Sequence, residues 1–182
     1  MIYFNDVIFS KEECETILND ADTYLESGLD MVVNNVDYGW TSNQNKRKST
    51  QCTKYVKGDS FIYKRINEVI GTFGYKISID EFKYDIIKYQ IGDFIWKHKD
   101  DKGKRIFSFV LQLNDTDNYE GGDFKYWIDD TEHIMNRQQG FGMIFKAGVY
   151  HEVTPVTKGE RHSFVAFLNF DEIKQLSGPT LI

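Results

Sequence analysis

Four side chains in the second half of the chain can share one piece of chemistry: His98 and Asp100 in WKHKD, His151 in YHEV, and Arg161 in GERHS. Two imidazoles and a carboxylate are metal ligands, and bound on one face of an ion they leave the opposite positions open. Such a set suits non-haem ferrous iron, although zinc accepts the same three donors. His98 and Asp100 are two apart, so in extended backbone they share a face while Lys97 and Lys99 point away. Trp96 has the same parity as His98 and is a candidate for the pocket wall or a substrate contact, with core packing as the alternative. His151 lies far along the chain, so a folded-over antiparallel sheet must bring it back.

Arg161 opens the strand-like run RHSFVAFLNF. Arg161, Ser163, Val165 and Phe167 fall on one face, and His162, Phe164, Ala166 and Leu168 on the other. An Arg pointing into an apolar barrel is costly unless it meets an anion, and its planar guanidinium fits a carboxylate bidentately. An open metal beside a buried Arg therefore suggests a ligand with an acid at one end and chelating oxygens at the other. His162 faces away from Arg161, and His133 sits in a polar hairpin, so neither is favoured as a ligand. Only neutral imidazole binds metal, which predicts loss of the ion as pH falls.

These residues need positioning elements. Residues 2–9 read as a short extended segment, after which Ser10 and Glu13 form a capping box for a helix of about 15 residues. Its stripe is Cys14, Ile17, Leu18, Ala21 and Leu25, and Gly28 is the stop. The polar stretch from Met31 to Gly58 carries Lys46, Arg47 and Lys48. It reads as a solvated loop or, alternatively, a substrate-binding lid with Arg47 as a substrate contact. Asp59 or Ser60 caps a second helix from about Phe61 to Phe73, burying Phe61, Ile62, Ile66, Val69 and Ile70. Strands follow over Ile79–Ile91, Phe94–Lys97, Arg105–Asn114, Gly122–Ile128, Glu132–Asn136, Gly142–Lys146, Glu152–Pro155 and Arg161–Phe170, a pattern for a sandwich or barrel. Asp129 and Asp130 mark a hairpin, Gly121 and Gly122 a bend or close approach, and SGPTLI a loose or surface-lying tail.

The 182 residues suit one domain, 1–182, with helical support over about 1–78 and a β core over about 79–170. A net charge of -6 disfavours a general nucleic-acid binder. Cys14 and Cys52 lack a CxxC context and read as free thiols in a reducing compartment. The N-terminus lacks the pattern of a secretory signal, and no apolar run reaches membrane-spanning length. The expectation is a cytoplasmic protein.

The strings KYQIGDFIWKHKD, RIFSFVLQLND, YEGGDF and HEVTPVTKGERHSFVAFL, from about Tyr84 to Phe170, resemble the 2-oxoglutarate and ferrous-iron dependent dioxygenases, most of all the prolyl 4-hydroxylase branch. That resemblance implies a mainly β (α+β) chain folded as a double-stranded β-helix, a cupin-like jelly roll with supporting N-terminal α-helices. It implies Fe(2+) on His98, Asp100 and His151, 2-oxoglutarate with its far carboxylate on Arg161, O2 as oxidant and ascorbate as reductant. Arg161 stands where the branch commonly has Lys, and both are cations. Tyr89 matches the Tyr of a Y-x-x-G segment that reaches the co-substrate, with a core tyrosine as the alternative. Ser163 would be a second carboxylate contact. Gln112 stands where relatives often have Tyr, so its amide either donates to a carboxylate or is a buried group paired with backbone. The implied activity is hydroxylation of a prolyl or other side chain in a peptide or protein, with 2-oxoglutarate decarboxylated to succinate. Hydroxylation of a small metabolite or free amino acid is one alternative; a metal-binding cupin-like module without turnover is another. Asp100 disfavours halogenation, and Phe167, where nucleic-acid dealkylating relatives carry Arg, disfavours that substrate.

Overall fold

The computed structural model describes residues 2–27, 31–33 and 47–176. Strand β1 (Ile2–Val7) leads into helix α1 (Lys11–Ser27). The helix starts at Ser10 because two side chains satisfy its first amides: the Glu13 N–H donates to Ser10 Oγ at 3.2 Å, and the Ser10 N–H to Glu13 Oε2 at 2.8 Å. Cys14 and Ile17 are buried on its inner stripe, with Leu18 packed alongside. Burial pushes the Cys14 thiol up to about 12, which leaves essentially no thiolate at neutral pH and makes this free cysteine a packing residue. The side chain of Cys52 and the position of Gly28 lie outside the described residues.

The stretch expected as a loop or lid over 31–58 instead supplies strands β2 (Met31–Val33), β3 (Arg47–Lys48) and β4 (Thr50–Lys57); residues 34–46 lie outside the described residues. Lys54 hides the strand pattern. It takes an inward position between Thr53 and Tyr55 yet is 8% exposed, because its stem runs under α1 and its ammonium meets the Asp20 carboxylate and, at 2.9 Å, the Asp20 carbonyl. A Lys at an inward position breaks the apolar alternation by which such a strand is recognised.

Ser60 Oγ accepts from the Tyr63 N–H at 3.1 Å and caps α2 (Phe61–Gly71). Ile62, Ile66, Val69 and Ile70 are buried as expected, but Phe61 remains 37% exposed, its ring set edge-on against Phe9. The helix stops two residues before Phe73, where the Thr72 hydroxyl donates to the Val69 carbonyl at 2.7 Å.

The remaining strands are β5 (Tyr75–Ile77), β6 (Glu81–Tyr89), β7 (Phe94–His98), β8 (Arg105–Gln112), β9 (Tyr119–Gly121), β10 (Phe124–Ile128), β11 (Thr131–Ile134), β12 (Phe141–Lys146), β13 (Tyr150–Val153), β14 (Val156–Gly159), β15 (Arg161–Asn169) and β16 (Ile173–Gln175). They form a seven-stranded sheet, β1-β12-β8-β15-β6-β4-β2, facing a five-stranded sheet, β11-β10-β13-β7-β3, with two short two-stranded pairs. This is the jelly roll with supporting helices that the motifs implied. Asp129 and Asp130 close the β10–β11 hairpin at φ 48° and 61°. Among the described residues, no helix is long and apolar enough to cross a membrane.

Period-two alternation on β8 and β15 divides the interior. Phe107, Phe109, Leu111, Phe164, Ala166 and Leu168 join the core under the two helices. Val110 joins a second core between the sheets, with Tyr89, Phe124, Tyr126, Met143 and Phe145. The opposite parity of β15 places Arg161, Ser163, Val165 and Phe167 along one cavity within that second layer.

Candidate active site

His98 and His151 are direct cross-strand partners on β7 and β13. Asp100 follows on the loop after β7, where its N–H donates to the Ala147 carbonyl at 2.8 Å. One donor atom from each of the three lies within 4.8 Å of the others. His98 Nε2 is 3.6 Å from Asp100 Oδ1, and His151 Nε2 is 3.3 Å from Asp100 Oδ2. The two Nδ1 atoms face the carbonyls of Trp96, at 2.8 Å, and Val149, at 3.0 Å. A carbonyl only accepts, so in the neutral ring Nδ1 carries the proton, which leaves the inward Nε2 a lone pair for a metal. Asp100 and His151 are buried while His98 is half-buried, so the group opens to solvent on the His98 side. His133 lies on β11, its ring stacked on Tyr126 at 5.2 Å, and the His162 N–H donates to Asn114 Oδ1 at 2.8 Å; neither belongs to the group.

Trp96 is not in the wall of this cavity. It is 47% exposed and packs on Phe94 at 4.6 Å, while Ile95 and His98 line the cavity. The reason is a bulge: Ile95 to His98 on β7 is matched by Val153 to His151 on β13, so β7 carries one residue more than its partner. Parity counted back from His98 therefore fails before it reaches position 96. Arg47 sits on the edge strand β3, its backbone paired with Ile95; its side chain lies outside the described residues.

Arg161 is fully buried, at 0% exposure. Its Nη2 donates to Gln112 Oε1 at 2.9 Å, and its Cζ lies 5.1 Å from the centre of the Tyr89 ring. Arg161 Nε and Nη1, Ser163 Oγ and Gln112 Nε2 are all buried and have no hydrogen-bond partner among the described residues. Gln112 thus meets Arg161 through its carbonyl and not backbone, and its NH2 remains open. Tyr89, Arg161 and Ser163 line the same cavity as His98, Asp100 and His151. Along β8 the two ends are four residues apart, Ser108 at Asp100 and Gln112 at Arg161, or roughly 13 Å at ~3.3 Å per residue. One cavity thus has a carboxylate-and-imidazole end and a guanidinium end. Two neutral imidazoles with one carboxylate fit ferrous iron, and unpartnered buried donors fit an anion.

Three contributions escape single-strand reading. Ser108, 1% exposed, donates to Asp100 Oδ2 at 2.7 Å; the signal for it was its inward parity with Gln112 in RIFSFVLQ. The Arg105 guanidinium lies 3.7 Å over the ring of Phe167, itself a cavity residue. Gly122, at φ +64°, supports the stem of Arg161: a Cβ there would lie 2.9 Å from Arg161 Cδ and 3.0 Å from Val156 Cγ2. Gly122→Ala is expected to displace Arg161 and so to weaken the binding of a dicarboxylate in this cavity. Its left-handed backbone adds ~1–2 kcal/mol of destabilisation. Calorimetric titration of Mn(II)-loaded protein and a melting curve check both effects.

A β-helix of two facing sheets with two histidines and an aspartate on one face of its cavity defines a metal-binding jelly roll of the cupin type. Residues 71–169 match the family model of the 2OG-Fe(II) oxygenase superfamily, more than half of the chain, and the chain belongs to that family. A PKHD-type hydroxylase of Maricaulis maris is 32% identical over 87 residues, 46% of this chain and 40% of that protein; the chain thus spans about two fifths of that relative's length. A Pseudomonas putida prolyl-4-hydroxylase superposes with TM-score 0.69 at 19% identity, covering 90% of each chain. A Trichoplax adhaerens prolyl hydroxylase, solved with a hypoxia inducible factor peptide, gives TM-score 0.66 at 15% identity over 94% of this chain and 84% of its own. The resemblance carried by the motifs to the 2-oxoglutarate and ferrous-iron dependent oxygenases holds, and the solved prolyl hydroxylases share the fold.

Proposed function

We propose that this protein is an Fe(II)- and 2-oxoglutarate-dependent dioxygenase that hydroxylates an unactivated C–H bond, in a prolyl or other side chain of a peptide. The observation that carries this reading is Arg161, fully buried with two nitrogens unpartnered, in one cavity with the His98, Asp100 and His151 group. A zinc centre on those three ligands supplies no reason for a buried guanidinium beside it.

His98, Asp100 and His151 would hold the iron on one face. Arg161, helped by Ser163, Gln112 and Tyr89, would hold the far carboxylate of 2-oxoglutarate. When bound, the iron and co-substrate supply the oxidising chemistry, in which O2 is consumed, 2-oxoglutarate becomes succinate and carbon dioxide, and the substrate gains a hydroxyl. The rest belongs to the chain. Val110, Phe124, Phe145 and Val153 wall the cavity with apolar surface and exclude water around the charged groups, which strengthens the Arg161 contact. The carbonyls of Trp96 and Val149 hold both imidazoles in the metal-binding tautomer. A peptide substrate is supported by the neighbours in shape, one solved with a peptide, and by access on the half-buried His98 side.

The test is succinate formation by purified protein with ferrous iron, ascorbate, O2 and 2-oxoglutarate, with and without proline-containing peptides. Turnover that a peptide stimulates, with the peptide gaining one oxygen atom, is expected. Turnover that only free amino acids or other small molecules stimulate would replace the peptide reading. No turnover, with zinc bound to the purified protein, would overturn the oxygenase reading.

A further inference from the structure

Strand β8 has two polar residues facing the space between the sheets, and each holds one end of the site. Gln112 takes Arg161, as described. Ser108 takes Asp100, and its own surroundings give no other reason for a hydroxyl: its ladder partners are Phe145 and Phe167, and it is 1% exposed.

The three residues of the metal group are held unequally. Both imidazoles are oriented by main-chain carbonyls, and the Asp100 backbone is tied to Ala147. The Asp100 carboxylate itself is oriented by one neutral side-chain donor, Ser108 Oγ at 2.7 Å from Oδ2. Rotation of a carboxylate about its last bond is soft, so the plane of this group depends on that hydrogen bond. The plane matters because it decides which carboxylate lone pairs face the two Nε2 atoms, which lie 3.6 Å from Oδ1 and 3.3 Å from Oδ2.

We infer that Ser108 is a positioning residue that fixes the plane of the Asp100 carboxylate and so aims its oxygens at the space beside the two imidazole Nε2 atoms. The inference rests on the proposed metal site. Ser108 occupies one lone pair of Oδ2 from the larger sheet and leaves the remaining lone pairs of the carboxylate for an ion.

Anaerobic titration with Co(II), followed by 2-oxoglutarate, tests it on the full chain. Ser108→Ala is expected to lower Co(II) affinity about 10–100-fold and to weaken 2-oxoglutarate binding to the Co(II)-loaded protein, with the metal-free protein still folded at the temperature of the titration. Ser108→Thr, which keeps the hydroxyl, is expected to restore both. A parent that binds Co(II) and a Ser108→Ala variant that binds it equally well would overturn this inference and leave the proposed function standing, as would a Thr variant as weak as the Ala one. A parent that takes up no Co(II) would overturn both. Should Ser108→Ala fail to fold, Ser108→Cys, a weak donor of similar size, is expected to fall between parent and loss; parent-like affinity in it counts against the inference.

Discussion

Replacing Arg161 with methionine is expected to abolish the response of the protein to 2-oxoglutarate without unfolding it. The guanidinium is at 0% exposure and its single polar partner is neutral, Gln112 Oε1. In the absence of an anion this is a buried charge without a counter-charge, and replacement of such groups by apolar side chains of similar volume ranges from neutral to a gain of ~1–4 kcal/mol. The single change also orphans Gln112 Oε1, at a cost of ~1–3 kcal/mol, so the two effects nearly cancel. The double variant Arg161→Met, Gln112→Leu removes both partners and is expected to melt higher than the parent, by about 2–4 °C for each kcal/mol gained in a chain of this size. For the co-substrate the sign is opposite. Truncating one side of a buried charge pair costs ~2–5 kcal/mol, or roughly 30- to 5,000-fold in the dissociation constant. Melting curves of Mn(II)-loaded protein with and without 2-oxoglutarate, under argon, read both effects together. A variant that binds 2-oxoglutarate as tightly as the parent would remove Arg161 from the anion site.

Loss of any one metal ligand is the other large effect. If the ~10–16 kcal/mol of a four-ligand structural site is shared evenly among its ligands, each contributes ~2.5–4 kcal/mol. His98→Ala, Asp100→Ala or His151→Ala should then weaken metal binding by roughly 60- to 900-fold and stop turnover. The variants should differ in stability. His98 is half-buried at the open side of the group, so its removal leaves the metal-free melt nearly unchanged. His151 is 5% exposed and packs between Phe124 and Phe145, with ring centres at 5.4 and 5.0 Å, so its truncation leaves a cavity and lowers the melt. His133→Ala and His162→Ala are the controls, and both should bind metal as the parent does. Anaerobic titration with ferrous iron, read with a metal analysis of the recovered protein, decides among these.

Much of this architecture can be read from the chain alone because it is written in near neighbours. The Ser10 and Glu13 capping box is complete within four residues. The paired faces of RHSFVAFLNF follow from the two-residue period of any extended strand, and they sent Arg161 and Ser163 one way and Phe164 and Ala166 the other. His98 and Asp100 share a face by the same rule, and Asp129-Asp130 carries its own hairpin. Where a partner strand intervenes, that reading ends. One extra residue on β7, visible only against β13, turns Trp96 outward and Ile95 inward. Lys54 breaks the pattern of β4 because an acidic residue on α1 waits for it. Gly122 is required by the stem of Arg161 and Ser108 by the carboxylate of Asp100, and no local rule connects either pair. Helix caps and strand faces are settled by backbone periodicity over a few residues. Bulges, buried cations and the contacts that aim the ligands are set across the sheet, by residues brought together only when the chain has closed on itself.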